Sequence, residues 1–533
     1  MTQIAADELK SKLQSRDELA LVDVREEGVF ATEHLLFAVS IPLVRLEIDF
    51  AWLVPRKGTP VVLCDAGEGD TCAREASAKL AHFGYENVAI LDNGTAGWQR
   101  AGNELFSGTN VPSKAFGEYV EHQYATPHIT ANELKALQEA ATDLVVLDSR
   151  PMAEFHKMSI PGGICCPGAE LAYRIHDLAP QPDTLVVVNC AGRTRSIIGS
   201  QALINAQIPN RVVALKDGTM GWHLAGHPLE HGQNRVAPEV SVDGLARSKE
   251  VAGRVATRFG VRKISPDQLA EFEQQSDSRS LFVFDVRSFS EFNAGHLPAS
   301  RSAPGGQLVQ ATDEFVGVRN ARLVLVDDTG VRATMTASWL IQMGWPEVYV
   351  LDRAVDQLDC VAGAEMRTQL GPSAAPAQQC SVDELAGLLA AGTSQLIDLA
   401  DSRTYRQGHL PGARLARRGD LPALLAAAPA GAHIVLLSPD GRLASVSIAE
   451  LKSDESYTVL ALTGGTRAWQ AAGGELETSR RTRQTDEGKD VWYKPYERSE
   501  GIDAAMRAYL EWETGLVAQI ERDGCASFRR FDT

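Results

Sequence analysis

The sequence predicts an α/β protein built from four tandem units, each a doubly wound, mainly parallel sheet flanked by helices, followed by a helical C-terminal tail. Three observations carry this reading. A strand ending in aspartate recurs at Asp23, Asp148, Asp285 and Asp398, a spacing of 113 to 137 residues, which is domain size rather than solenoid size. Short apolar runs alternate with helical stretches inside each repeat, the pattern of a parallel sheet covered on both faces. At 533 residues the chain exceeds what one hydrophobic core holds together.

Each unit opens on a short helix: "IAADEL" at 4–9, "ITANEL" at 129–134, "ISPDQL" at 264–269 and "CSVDEL" at 380–385. Thr130/Glu133, Ser265/Gln268 and Ser381/Glu384 fit capping boxes, in which side chains satisfy the orphan amides of a first turn. The aspartate-terminated strands follow ("LALVDVR", "LVVLDSR", "LFVFDVR", "QLIDLAD"), then a second apolar strand ("TPVVLC", "TLVVVNC", "RLVLVD", "HIVLLS"), an alanine-rich helix and a third strand such as "RVVAL". Units one, two and four close on "NGTAGWQRAG", "DGTMGWHLAG" and "GGTRAWQAAG". The domains are placed at 1–111, 128–229, 263–360 and 378–478, with linkers at 112–127, 230–262 and 361–377. The tail spans 479–533 and holds an amphipathic helix, "GIDAAMRAYLEWETGLVAQIERDG".

Composition narrows the function. A net charge of −17 argues against nucleic acid or anionic membranes as general partners, so an anion site has to be built locally. No basic segment followed by an apolar run opens the chain, and no stretch nears 18 apolar residues. Eight scattered cysteines without metal-type spacing fit free thiols and a cytoplasmic setting. No cofactor or metal is implied. A homo-oligomer is compatible with the sequence and not required by it.

The stretch "VVVNCAGRTRS" (186–196) concentrates the chemistry. A buried strand ends at Cys190, and ligands of parallel sheets bind beyond the carboxyl ends of their strands. Asp-x-Arg followed by Glu-Phe, Gly-His-Leu-Pro, a strand-terminal cysteine loop with arginines, and the late Gly-Thr-x-x-Trp together resemble the rhodanese (sulfurtransferase) domain, in all four units. The plan is similar to that of four-domain bacterial rhodanese-like proteins. The resemblance implies a reactive cysteine first in a six-residue loop, Cys190 followed by Ala191, Gly192, Arg193, Thr194, Arg195 and the helix start Ser196. Its thiolate takes a sulfane sulfur from thiosulfate, or from a persulfide such as glutathione persulfide, and passes it to cyanide or a thiol.

Spacing selects the working unit. Asp148 to Cys190 is 42 residues, as is Asp285 to Asp327; Asp398 to Ser438 is 40. Carboxylate and unactivated hydroxyl are no substitutes for a sulfur nucleophile, so units three and four are expected to be inert. Unit one reads "CDAGEGDTCAR", where either Cys64 or Asp65 takes the key position; its acidic loop would raise the thiol pKa and repel an anionic donor, so it is expected to be inactive too. At Cys190, the helix N-terminus and converging amides are expected to depress the thiol pKa. Arg193 and Arg195 offer forked donors suited to an oxyanion, and Arg195→Ala is expected to weaken donor use by about 1.5–3 kcal/mol. Asp148, Arg150 and Glu154 are read as a structural ion-pair brace. His156 and Ser159 depart from the family motif, Cys165 and Cys166 lack partner spacing for a resolving thiol, and Trp98, Trp222 and Trp469 read as packing anchors.

Two alternatives remain open. A cysteine phosphatase uses Cys-x5-Arg, whereas Cys190 and Arg195 give Cys-x4-Arg, a loop suited to one sulfur atom rather than a phosphate. A non-turnover persulfide carrier or scaffold would account for three units without a nucleophile.

Overall fold

The computed structural model describes residues 2–451, 456–478 and 489–532. The expected α/β architecture is present: four five-stranded sheets share one strand order, in which the first strand of each unit lies at one edge, followed by the fifth, fourth, second and third. The strand pairings inside the sheets are parallel. In unit two the order runs His128–Ile129, Val212–Leu215, Leu185–Asn189, Leu144–Asp148, Ile164–Cys165. Leu185–Asn189 is therefore the central strand, and its five residues are buried, as a parallel strand covered on both faces requires. The three expected capping boxes form, and Ser288 with Glu291 makes another at the helix Phe289–Ala294. The three tryptophans act as anchors: Trp98, Trp222 and Trp469 each donate an indole N–H to a carbonyl six residues on, at 2.8, 2.9 and 2.9 Å.

Units one to three share a continuous core that runs from Val22 through Leu147 and Val188 to Phe284 and Leu325. The linker helices Val111–Tyr124 and Val242–Phe259 contribute Phe116, Val120, Val251 and Val255 to it. Unit four keeps its own core and receives Ile48 from unit one. Beside that contact, Arg418 and Lys79 meet the buried Glu47 carboxylate.

Units two and three face each other with local two-fold correspondence. Arg195 and Arg332 hold the same place in their units, each bound to its own unit's glutamate (Glu154 or Glu291). Each also reaches across the interface, Arg195 to Gln307 at 3.3 Å and Arg332 to Glu170 at 2.8 Å.

The tail folds back over unit one, the first linker and unit two. Helix Ile502–Asp523 packs Leu516 and Ile520 among Leu36, Phe106, Val111 and Ala115. Burying each of these two side chains is worth about 1.5–3 kcal/mol.

Candidate functional site

Strand register fixes which residues are equivalent. Asp148 pairs with Asn189, Asp23 with Cys64, Asp285 with Val326 and Asp398 with Leu437. The next residue in each unit is Cys190, Asp65, Asp327 or Ser438. The carbonyls of these four residues accept matching backbone bonds, from the amides of Thr219, Thr95, Val355 and Thr466. The open question in unit one is thus answered in favour of Asp65. Cys64 is one residue early, fully buried, with its thiol pushed well above the usual range by burial and by Asp23.

In the other units the side chain at this position caps the following helix. Asp65 accepts from the Gly67 and Ala73 amides at 3.0 and 3.1 Å, Asp327 from Gly330 and Ala333, and Ser438 from Ala444. A built-in oxygen occupies the place that sulfur holds in unit two.

Cys190 follows the central strand and is 2% exposed. The helix begins at Thr194, two residues before the expected Ser196. The Ser196 hydroxyl lies 3.4 Å from Cys190 Sγ and donates to the Arg193 carbonyl at 2.8 Å. The expected net depression of the thiol pKa is not found: burial pushes it up, while Arg195 and the Ser196 hydroxyl and amide pull it down, and Glu513 raises it again. Desolvation disfavours the thiolate more than the fixed dipoles favour it.

The predicted arginines are placed as expected but already partnered. Arg193 gives its Nε and one Nη to Glu118 at 2.7 and 2.8 Å, and it also bonds Glu121 and Asp217. Arg195 makes a two-point pair with Glu154 at 2.8 and 3.1 Å. The brace is correspondingly smaller than expected. Arg150 grips Asp148 at 2.8 and 2.7 Å and the Met158 carbonyl at 2.7 Å, while Glu154 serves Arg195 instead. Burial works against Glu154 carrying charge, but Arg195 outweighs it and holds the carboxyl well below its usual range. Asn189 Nδ2 adds a 3.0 Å bond to Asp148, tying the two strand ends together.

Ser159 stands where the other units have His34, His296 and His409, which stack on Phe30, Phe292 and Tyr405. His156 is exposed and bonds Asn234, away from the sulfur. Cys165 donates to the Arg150 carbonyl and Cys166 is in the common core. Neither lines the Cys190 cavity.

That cavity leaves about 70 Å³ for solvent. Ala191, Gly192, Arg193, Thr194 and Arg195 form its floor, and Lys114 of the first linker with Asn110 at the end of unit one form one wall. The tail supplies the roof: Trp492, Lys494, Pro495, Tyr496, Tyr509 and Glu513. Lys114 Nζ lies 5.0–5.3 Å from the centres of the Trp492, Tyr509 and Trp512 rings, a cation held among aromatic faces. Burial lowers this ammonium to a pKa of about 8. In the sequence the tail stretch "VWYKPYE" (491–497) is a candidate cover for a neighbouring domain without saying which; the structure lays it over Cys190. One signal was available: Glu513 falls in phase with Met506, Leu516 and Ile520, the buried stripe of its helix. Gly218, at φ +57°, packs its backbone against the Cys190 loop, where a Cβ would come within 2.3 Å of the Cys190 carbonyl oxygen.

Among the described residues no helix is long and apolar enough to cross a membrane, and no group of three or more His, Cys, Asp or Glu side chains is placed to hold a metal ion.

The description "Rhodanese-like domain" matches residues 5–101, 130–225, 266–358 and 381–472. The crystal structure of a thiosulfate sulfurtransferase from Pseudomonas aeruginosa is 45% identical, covers 100% of both chains and superposes with a TM-score of 0.90. An HTH-type transcriptional regulator of Mycobacterium tuberculosis is 35% identical over 104 residues, 20% of this chain and 45% of that protein. An uncharacterized protein of Synechocystis sp. is 32% identical over 102 residues, 19% of this chain and 54% of its own length. The chain thus spans about half the length of the curated relatives it matches.

Proposed function

The chain belongs to the rhodanese-like domain family, and from that premise we propose that it is a sulfurtransferase working through a Cys190 persulfide in unit two, with thiosulfate or a low-molecular-weight persulfide as donor. The ionised Cys190 sulfur attacks the outer sulfur of the donor. With thiosulfate, the S–S bond breaks with its electron pair leaving on sulfite. Cyanide or a thiolate then attacks the outer sulfur of the persulfide, and the Cys190 thiolate is released. No external oxidant or reductant is needed.

One observation carries the reading: of the four equivalent positions just beyond the strand ends, only that of unit two bears a sulfur, and that sulfur opens onto a cavity lined by Lys114, Lys494 and aromatic rings. Lys114 and Lys494 complement an anionic donor there. Arg193 and Arg195, engaged by carboxylates, act chiefly to shape the loop and stabilise the thiolate. The identity of the whole-chain neighbour favours thiosulfate among donors.

The test is transfer from thiosulfate to cyanide by the full chain and by Cys190→Ser, with mass spectrometry of Cys190 after donor treatment. Loss of transfer in Cys190→Ser and a 32-dalton gain on the wild-type residue are expected. Retained activity in Cys190→Ser overturns the assignment. Labelling of Cys190 without repeated turnover replaces the enzyme reading with a persulfide carrier.

A further inference from the structure

The sulfur is buried in a setting that disfavours its ionised form, yet the proposed reaction needs a thiolate. A group that takes the proton inside the cavity resolves this. Glu513 is 1% exposed and lines the same cavity as Cys190. Its Oε1 accepts from Tyr509 at 3.0 Å and from Thr194 at 3.3 Å, while its Oε2 has no hydrogen-bond partner. That free oxygen hangs over Gly192, two residues from the sulfur, where a Cβ would sit 3.2 Å from it. The bare glycine leaves the approach between oxygen and loop open.

We infer that Glu513, supplied by the C-terminal helix rather than by the rhodanese-like unit, is the proton acceptor for the Cys190 thiol. The inference rests on the sulfur-transfer reading. In the first half-reaction the Cys190 S–H bond breaks, its proton passes across the cavity to Glu513 Oε2, and the freed pair on sulfur attacks the donor. After the acceptor removes the outer sulfur, Glu513 returns the proton to the released thiolate. Charge and atoms balance, with Glu513 alternating between carboxylate and carboxylic acid.

The groups around Glu513 suit this role. Lys114 and Glu118 face it from the first linker helix, Arg193 from the loop and Tyr509 from its own helix. Burial is the largest influence and pushes Glu513 up to about 7, near the pH at which a general base is most effective.

The experiment follows two readouts across pH 5.5–9.5 in the wild type and in Glu513→Gln: persulfide formation from thiosulfate, and alkylation of Cys190 by iodoacetamide, which needs no sulfur donor. The exposed Cys360 serves as an internal reference. Glu513→Gln is expected to abolish the rise near pH 7 and to slow both reactions at Cys190 at least tenfold at pH 7.5, with recovery above pH 9 and Cys360 unchanged. Rates within twofold of wild type, or faster because a negative charge has gone, overturn the proposal. If Glu513→Gln fails to fold, Tyr509→Phe decides. Losing the hydroxyl that stabilises the carboxylate should move the rise to higher pH, and an unmoved profile overturns the relay. Normal alkylation profiles with no persulfide on the wild-type residue would sink the transfer reading and leave the relay standing.

Discussion

Removing Arg195 should damage the fold as well as the chemistry, by an amount the geometry sets. Its guanidinium is nearly buried, and Glu154 is held by it at two points, 2.8 and 3.1 Å. In Arg195→Ala the carboxylate stays behind in a desolvated site, and breaking a buried pair from one side costs about 3–5 kcal/mol. Lys494 Nζ, 3.3 Å from Glu154 Oε1, remains as a partner, but it is one-third exposed and recovers only about 1 kcal/mol. The lost contact to Gln307 across the unit interface works in the same direction. The net expectation is a loss of about 2–4 kcal/mol. Arg195→Ala/Glu154→Gln, which leaves no buried charge, should lose less than half as much. Sulfur transfer should fall at least tenfold in both variants, because Arg195 is also the chief charge favouring the Cys190 thiolate. Urea unfolding and thiosulfate turnover, measured on the same samples, read the two effects separately. A stability loss below 1 kcal/mol for Arg195→Ala, or recovered turnover in the double variant, would refute this account.

Three further outcomes are expected. Gly218→Ala forces a Cβ against the Cys190 carbonyl at a left-handed backbone position, whereas Gly226 has φ +83° and open space; Gly218→Ala should abolish transfer and Gly226→Ala should cost only about 1 kcal/mol, by thermal unfolding and turnover. Asp65→Cys should form no persulfide, because Asp23 and Asp70 surround the position and the caps to Gly67 and Ala73 are lost at about 1 kcal/mol; Cys64→Ala should leave turnover unchanged. His34 is held neutral by burial, with its pKa lowered to about 3. The unfolded chain therefore binds a proton between pH 6.5 and 3 that the folded chain does not, and stability falls as pH drops through that window. His34→Gln should shift the acid-unfolding midpoint to lower pH, and an unshifted midpoint would show that His34 charges without unfolding.

The parts legible in the sequence are those written locally. The capping boxes at Thr130, Ser265 and Ser381 involve residues three apart, and the strand-end aspartates stand at the close of apolar runs. Cys190 with its following loop could be read in the same way. The one-residue shift in unit one was not legible because Cys64 is itself apolar enough to continue the strand "VVLC", and only the pairing of Asp23 with Cys64 shows that the strand includes it. Two of the three partners of Arg193, Glu118 and Glu121, lie on a linker helix more than 70 positions away and the third, Asp217, is 24 positions on, so nothing adjacent to the arginine predicts that its charge is spent. The thiol was misjudged for a related reason. Loop amides and arginines are visible in the sequence, but the burial that opposes them comes from packing between distant segments, the roof from the tail among them.

That roof ties the timing of competence to translation. Thr194, in the loop beside the sulfur, is bonded to a carboxylate 319 residues further along the chain. At roughly 5–20 residues per second, a ribosome needs on the order of 16 to 64 s to traverse that distance. Cys190 therefore emerges, and its domain can collapse, long before the pocket is sealed, so a nascent polypeptide carries that thiol uncovered.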